Sequence, residues 1–118
     1  MRRLAPLLGV LVLALGALTA CGGGDSGGST DGPKTIDITF SGDSVTPNGE
    51  KVSVGVGQKV VFHVVADAAG EIHVHSTPEQ ELEYDQGTTD LTITIDKPGI
   101  VDVESHALEK TIVQLEVS

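Results

Sequence analysis

The sequence predicts an all-β fold, an antiparallel sandwich of about seven strands within residues 34–118. Three observations support this prediction. Apolar residues alternate with polar ones over short runs, which is the period of a half-buried strand. Clusters rich in Gly, Pro, Asn and Asp separate these runs, and Greek-key links are expected between them. No segment carries apolar residues at helical spacing over a useful length, although TPEQELEY can form one turn.

Each strand is predicted from its apolar phase. The first run, TIDITF, places its isoleucines and its phenylalanine on one face. The run QKVVFHVVAD has β-branched residues on both faces, which predicts a strand buried between layers. The other predicted strands are EKVSVGVG, EIHVHS, DLTITID, GIVDVESH and TIVQLEVS. The predicted core includes Val54, Val60, Phe62, Val64, Leu91, Ile93, Val113 and Leu115.

The first twenty residues form a predicted export signal. Arg2 and Arg3 precede the apolar run LLGVLVLALGAL, which is too short to span a bilayer comfortably. The run ends in LTAC, which resembles the lipobox of bacterial lipoproteins. The resemblance implies cleavage after Ala20 and acyl chains such as palmitate on Cys21, which together anchor a protein stably. Residues 1–20 are therefore predicted to be a lipoprotein signal peptide.

Residues 21–33 form a predicted tether between the lipid and the domain. The segment GGGDSGGSTDGP is rich in Gly and Ser and lacks the apolar residues that a core requires. This arrangement predicts a lipid-anchored protein at the extracytoplasmic face of the cell membrane. The sequence leaves open whether export follows the Sec or the twin-arginine route.

The chain after Ala20 is strongly acidic. All seventeen acidic residues lie there with only five lysines, so its formal charge is −12. Nucleic-acid binding is not expected, because it requires a basic surface. The acids keep the domain soluble and attract cations. Because Cys21 is the only cysteine, the predicted monomeric domain has no internal disulfide and depends on its apolar core.

Three segments of the predicted domain resemble a cupredoxin-like domain. VTPNGEKVSVGVGQKVVFHVVAD is similar to the opening of that family, in which two strands flank a Gly-containing turn. EIHVHS stands where a cupredoxin offers its first histidine ligand, and KPGIVDVESHALEKTIVQLEV resembles the closing ligand loop and last strand. A bacterial lipid-anchored subgroup with H-x-H and PG-x-x-x-V-E-x-H is closer still. The resemblance implies a cupredoxin-like Greek-key sandwich whose two histidine segments meet at one end.

One departure from the cupredoxin pattern excludes a blue-copper centre. Such a centre uses two histidines, a cysteine thiolate and a weak axial methionine. The closing loop has Glu104 or Ser105 where the cysteine is expected, and no methionine follows. Without a thiolate, electron transfer through a blue site is set aside.

Four residues are the candidate ligands of a different metal site. His73 and His75 share one face of a strand, because side chains in a strand repeat every two residues. Glu104 and His106 have the same spacing. The cupredoxin resemblance implies that the two pairs meet and supply three imidazoles and one carboxylate. Such a set suits Cu(II) in tetragonal geometry, with Zn(II) in tetrahedral geometry as the less favoured alternative.

Four other residues receive supporting or structural roles. Asp102 and Glu71 lie on the same strand faces as the candidate ligands and can orient them. His63 lies in an apolar run and is expected in the core or an adjoining layer rather than at a metal. Tyr84 is expected to be a packing residue or to lie at the rim of a sheet, and a phenol near copper is the alternative.

Two functions remain open from the sequence. In the first, the lipid-anchored protein binds or buffers copper at a non-blue, His-rich site. In the second, a metal-free cupredoxin-like module serves a membrane or envelope protein partner. Catalysis is not expected, because Ser76 and Ser105 lie beside histidines without a nucleophile elbow. The glycine-rich segment also lacks the preceding strand of a phosphate-binding loop.

The predicted lipid anchor is tested by changing the cysteine. We expect the natural chain to partition into detergent, and Cys21→Ser to leave a soluble or unprocessed form, because serine does not form the thioether. Membrane fractionation with immunoblotting measures both the partition and the cleavage of the signal. A Cys21→Ser protein that stays on the membrane with its signal removed would contradict the lipobox interpretation.

Overall fold

The structure, a computed structural model, describes residues 32–118, and every regular element in this range is a β-strand. The predicted signal peptide, Cys21 and most of the tether lie outside the described residues. No helix in the described range is long and apolar enough to cross a membrane. The strands are β1 (Lys34–Ser41), β2 (Ser44–Thr46), β3 (Glu50–Val54), β4 (Val60–Ala66), β5 (Gly70–Val74), β6 (Gln80–Tyr84), β7 (Gly87–Ile93), β8 (Gly99–Ser105) and β9 (Lys110–Val117).

These strands form two sheets that enclose one core. The four-stranded sheet has the order β2-β1-β4-β7, and the five-stranded sheet has the order β3-β9-β8-β5-β6. Most neighbours are antiparallel, but β1 pairs with β4 and β3 pairs with β9 in parallel, so both sheets are mixed. The predicted all-β sandwich is confirmed, with nine strands rather than about seven and with these two parallel pairings.

One of the additional strands is β6, in the segment that the sequence suggested as a helical turn. It pairs antiparallel with β5, and Leu82 lies opposite Ile72. Leu82 packs against the core and Tyr84 is buried, whereas Glu81 and Glu83 are exposed. This alternation has the period of a strand, and pairing with β5 outweighs the helical preference of the glutamates.

The core lies between the sheets and matches the predicted apolar phase. Phe62 in β4 is fully buried, and Phe40 stacks on Tyr84 with ring centroids 4.8 Å apart. Gly70 permits this arrangement, because a methyl group at that position would overlap the Tyr84 hydroxyl. Of the predicted core residues, Leu91 is partly buried and packs against the core, while Val54, Val60, Phe62, Val64, Ile93, Val113 and Leu115 are buried.

Strand β4 is buried on one face only, unlike the prediction from its β-branched residues. Val65 is 42% exposed, and His63 lies on the same outer face. His63 Nδ1 donates a hydrogen bond to Asp90 Oδ1 on β7 at 2.6 Å. Valine on the outer face of a strand reflects β-propensity and does not require a second packed layer.

The pairing of β5 with β8 positions the histidine segments. Ile72 lies opposite Ser105 and Val74 opposite Val103, and all four side chains are buried. His73 and Glu104, which lie between these buried pairs, therefore face outward. Next to this pairing, the register of β8 and β9 shifts between Val103 and Glu104, which marks a β-bulge. Bulges are frequent beside functional sites, where they re-aim side chains.

The core is tested by truncating Phe62, its largest fully buried side chain. Phe62→Ala should lower the free energy of unfolding by about 3–5 kcal/mol, because it leaves a cavity between the sheets. Val65→Thr on the exposed face of the same strand should change it by less than about 0.5 kcal/mol. Urea unfolding followed by far-UV circular dichroism measures both. A loss below about 1 kcal/mol for Phe62→Ala would show that the strand phase is wrong.

Candidate metal centre

The outer face of the five-stranded sheet carries facing polar pairs from β5 and β8. His73 lies directly opposite Glu104 in the register. One step along, the His106 backbone N–H donates a hydrogen bond to the Glu71 carbonyl oxygen at 3.0 Å. Alternate residues of a strand share a face, so these four side chains lie together on the solvent side of the sheet.

Three of the side chains on this face converge closely. Glu71, His73 and His106 each offer a ligand atom, and these atoms lie within 4.8 Å of one another. His73 Nε2 donates a hydrogen bond to Glu71 Oε1 at 2.5 Å, and the His73 and His106 rings stack with centroids 4.9 Å apart. An ion with bonds of about 2.0–2.2 Å spaces its ligand atoms at most about 4.4 Å apart. Because the ligand atoms spread over up to 4.8 Å and the two rings are stacked, an ion held by all three would require the exposed His106 side chain to rotate.

His75 lies beside this group and contacts other carboxylates. Its ring centroid is 6.3 Å from that of His73. His75 Nδ1 is 3.2 Å from Glu79 Oε1, and His75 Nε2 is 3.3 Å from Glu104 Oε2. The four predicted ligands thus divide between two adjoining groups, His73 with His106 and His75 with Glu104. The prediction that all four ligands bind a single ion stays a prediction.

The two residues expected to support the ligands have different positions. Glu71 is itself one of the three converging side chains and so is a candidate ligand rather than only a supporting residue. Asp102 faces His75, whose backbone N–H donates to the Asp102 carbonyl oxygen at 2.9 Å. Gln114 Nε2 donates to Asp102 Oδ1 at 2.9 Å, which holds that carboxylate in place. The Asp102 carboxylate thus contacts Gln114 rather than a histidine ring, and the orienting role suggested for Asp102 stays a prediction.

Glutamates around the histidines were missed by the sequence analysis. Glu79 Oε1 lies 3.9 Å from His73 Nδ1, and Glu81 Oε1 lies 4.0 Å from His73 Nε2. In residues 32–118, every ion pair within 4.0 Å joins a histidine to a carboxylate, and no lysine takes part. The surface is therefore electronegative and concentrates cations. Pairing of β6 with β5 creates this surface, and β6 was not predicted as a strand.

A cleft beside the centre gives access from solvent. It has a volume of about 390 Å³, and its lining includes Glu71, Glu83, Tyr84, Asp85 and His106. The carboxylates in this lining favour entry of hydrated cations along the same side of the sheet.

Solved structures similar to this domain are small copper proteins. A reduced Cu(I) form of an amicyanin variant matches with a TM-score of 0.54 at 13% identity, over 75% of this chain and 84% of that chain. Auracyanin A, a "blue" copper protein from Chloroflexus aurantiacus, matches with 0.53 at 14% identity, over 74% and 100%. A purple cupredoxin from Nitrosopumilus maritimus matches with 0.52 at 14% identity, over 72% and 99%. No protein-family profile and no curated protein matches the sequence.

The domain has a cupredoxin-like fold. At identities of 13–14%, the similarity shows a shared fold. The chemistry of this domain has to be argued from its own residues. The expected resemblance is confirmed at this level.

The closing loop of this cupredoxin-like domain has no interior ligand. Of the two residues at the expected cysteine position, Glu104 faces outward and Ser105 is buried, with 1% exposure. The Leu108 backbone N–H donates to Ser105 Oγ at 3.2 Å, and Leu108 packs against the core. The space under the loop is thus filled by a hydroxyl and apolar packing. The two histidine segments were expected to meet at one end of the sandwich. They meet instead on the outer face of the five-stranded sheet.

Tyr84 borders the cleft and has a perturbed pKa. Burial of the phenol raises its pKa above the ordinary value of about 10, and the negative charge of Asp67 raises it further. The group therefore contributes stability that is fully present below about pH 10, where the unfolded phenol titrates. This contribution is lost as the pH rises through the pKa of the folded state.

An absorbance titration tests this shift, since Tyr84 is the only tyrosine and the chain has no tryptophan. The phenolate should appear above pH 10 in the folded protein and near pH 10 in denaturant. Asp67→Asn should move the folded midpoint part of the way back, while its side-chain oxygen can still accept the Gly42 N–H. A folded midpoint at or below that of the unfolded chain would contradict the burial of this phenol.

Proposed function

We propose that this chain is a lipid-anchored extracytoplasmic protein that binds or buffers copper as Cu(II). The convergence of Glu71, His73 and His106 on the outer sheet face is the observation that carries the proposal. Two imidazoles and a carboxylate form a donor set of nitrogen and oxygen, which suits Cu(II). A blue centre does not fit, because the chain has no cysteine beyond Cys21 and no methionine beyond Met1.

The metal preference follows from the donor types. Affinity of nitrogen and oxygen sites for divalent ions rises to Cu(II), so copper is favoured over Zn(II) when both are available. The similar solved structures are themselves copper proteins, which supports copper as the ion. Bound Cu(II) would add a Lewis-acidic, redox-active centre, and we propose binding rather than catalysis.

The residues around the ion have separable roles in this proposal. His73 is partly buried between strand neighbours and supplies a fixed nitrogen, while exposed His106 closes on the ion. Glu71 holds the His73 ring by its hydrogen bond and offers a charged oxygen. Ligation requires a ring nitrogen without a proton, so an ion bound at His73 Nε2 would replace this hydrogen bond, and the ring proton would move to Nδ1.

The setting proposed for this site is the outer surface of a membrane. Cys21 would carry the lipid, and residues 22–33 would hold the domain away from it. The acidic charge repels anionic lipid and draws cations toward the sheet face. This arrangement suits capture and local storage of copper ions.

A Cu(II) titration of the full-length chain tests the proposal. It is done in the Cys21→Ser background, so that a free thiol does not bind copper. Electron paramagnetic resonance should show a type 2 signal with nitrogen couplings from imidazole. His106→Ala should weaken binding by roughly tenfold or more, because one ligand is lost while the backbone hydrogen bond to Glu71 remains.

His63→Ala is the matched control for this titration. His63 is also a partly exposed histidine with a carboxylate partner, but it lies on the other sheet. Its removal should leave copper binding unchanged. Equal copper uptake by the parent chain and by a His73/His75/His106 triple-alanine variant would overturn the proposal and favour a metal-free interaction module.

A further inference from the structure

We propose that the outer sheet face has a second divalent-cation position, centred on His75 and Glu104. It lies beside the Glu71, His73 and His106 position and rests on the proposed function of that site. The inference separates two histidines that sequence spacing assigned to one ion.

The distance between His75 and Glu104 is compatible with ligation of one ion by both side chains. Two donors bound at about 2.0–2.1 Å to one ion lie about 2.9–3.4 Å apart for angles between right and tetrahedral. His75 Nε2 and Glu104 Oε2 are 3.3 Å apart, within this range. Both side chains are about two-fifths exposed, so water can complete the coordination.

The other nitrogen of His75 already faces an orienting carboxylate. Glu79 Oε1 lies 3.2 Å from His75 Nδ1, on the side of the ring away from Nε2. A metal-bound histidine commonly gives its remaining N–H to a carboxylate, which fixes the tautomer and the ring direction. Glu79 thus presents Nε2 of His75 to Glu104.

One ion cannot readily use all four predicted ligands in this arrangement. The His73 and His75 ring centroids are 6.3 Å apart, and the two rings are inclined by 62°. His73 instead stacks on His106, at 4.9 Å and 18°.

The charge of the surface favours two ions. Glu71, Glu79, Glu81 and Glu104 all contact the histidines, and no lysine pairs with an acid in residues 32–118. A single divalent ion leaves half of these four negative charges uncompensated, whereas two ions balance them. Occupation of the first position reduces this attraction, so the more exposed His75 position should fill second.

Equilibrium dialysis of the full-length Cys21→Ser chain against buffered copper sulfate tests the inference, with metal analysis and electron paramagnetic resonance. We expect two Cu(II) ions per chain, bound in two steps, with a half-field signal from two spins close together. His75→Ala should remove the second ion and the half-field signal and leave the first step unchanged. Glu79→Gln should weaken only the second step, by roughly tenfold or more.

Glu116→Gln is the matched control, since Glu116 lies on β9 on the outer side of the same sheet, away from the histidines. It should leave both steps unchanged. One bound ion whose affinity falls in His75→Ala and His106→Ala alike would show a shared site and overturn the inference, while the proposed function would stand. One ion unaffected by His75→Ala would also overturn it. No bound copper would overturn the proposed function as well.

Discussion

The register between β5 and β8 is the constraint on which the candidate centre depends. It places Ile72 and Val74 opposite Ser105 and Val103 inside the sandwich. The intervening histidines and glutamates must then face outward, because a strand alternates its sides. A slip of one residue would bury charged groups and expose the core, so burial of the apolar residues fixes the position of the polar ones.

The outward placement of the histidines and the composition of the described residues exclude a blue-copper centre in this domain. A thiolate centre would require a cysteine and a methionine that residues 32–118 do not contain. In the closing loop, the Leu108 backbone N–H instead donates a hydrogen bond to Ser105 Oγ, and the Leu108 side chain packs against the core. Nitrogen and oxygen donors remain, and they lie on a surface whose ion pairs are made by histidines alone among the described residues. The cupredoxin-like fold of this chain therefore carries a different set of candidate donors, on the outer face of a sheet.

Much of the fold, but only part of the site, could be predicted from the sequence. The predicted core contained buried residues of β4 and β9, including Phe62 and Leu115, although β4 was expected to be buried on both faces and is buried on one. The sequence analysis did not identify β6, because its glutamates suggested a helical turn although Leu82 and Tyr84 alternate toward the core. Spacing predicted that His73 and His75 share one face. The ring direction of His75 depends on Glu79, whose position is set by the connection between β5 and β6, and that connection was not predicted.

Paramagnetic broadening of histidine ring resonances tests most directly whether this face is where copper binds. Substoichiometric Cu(II) is added to the full-length Cys21→Ser chain, and the ring signals of all four histidines are followed. Broadening falls steeply with distance, and packed sheets are about 10 Å apart before their outer side chains are counted. The signals of His73, His75 and His106 should broaden first, while that of His63 on the other sheet stays sharp. Equal broadening of all four, or broadening led by His63, would contradict a copper site on the β5–β8 face.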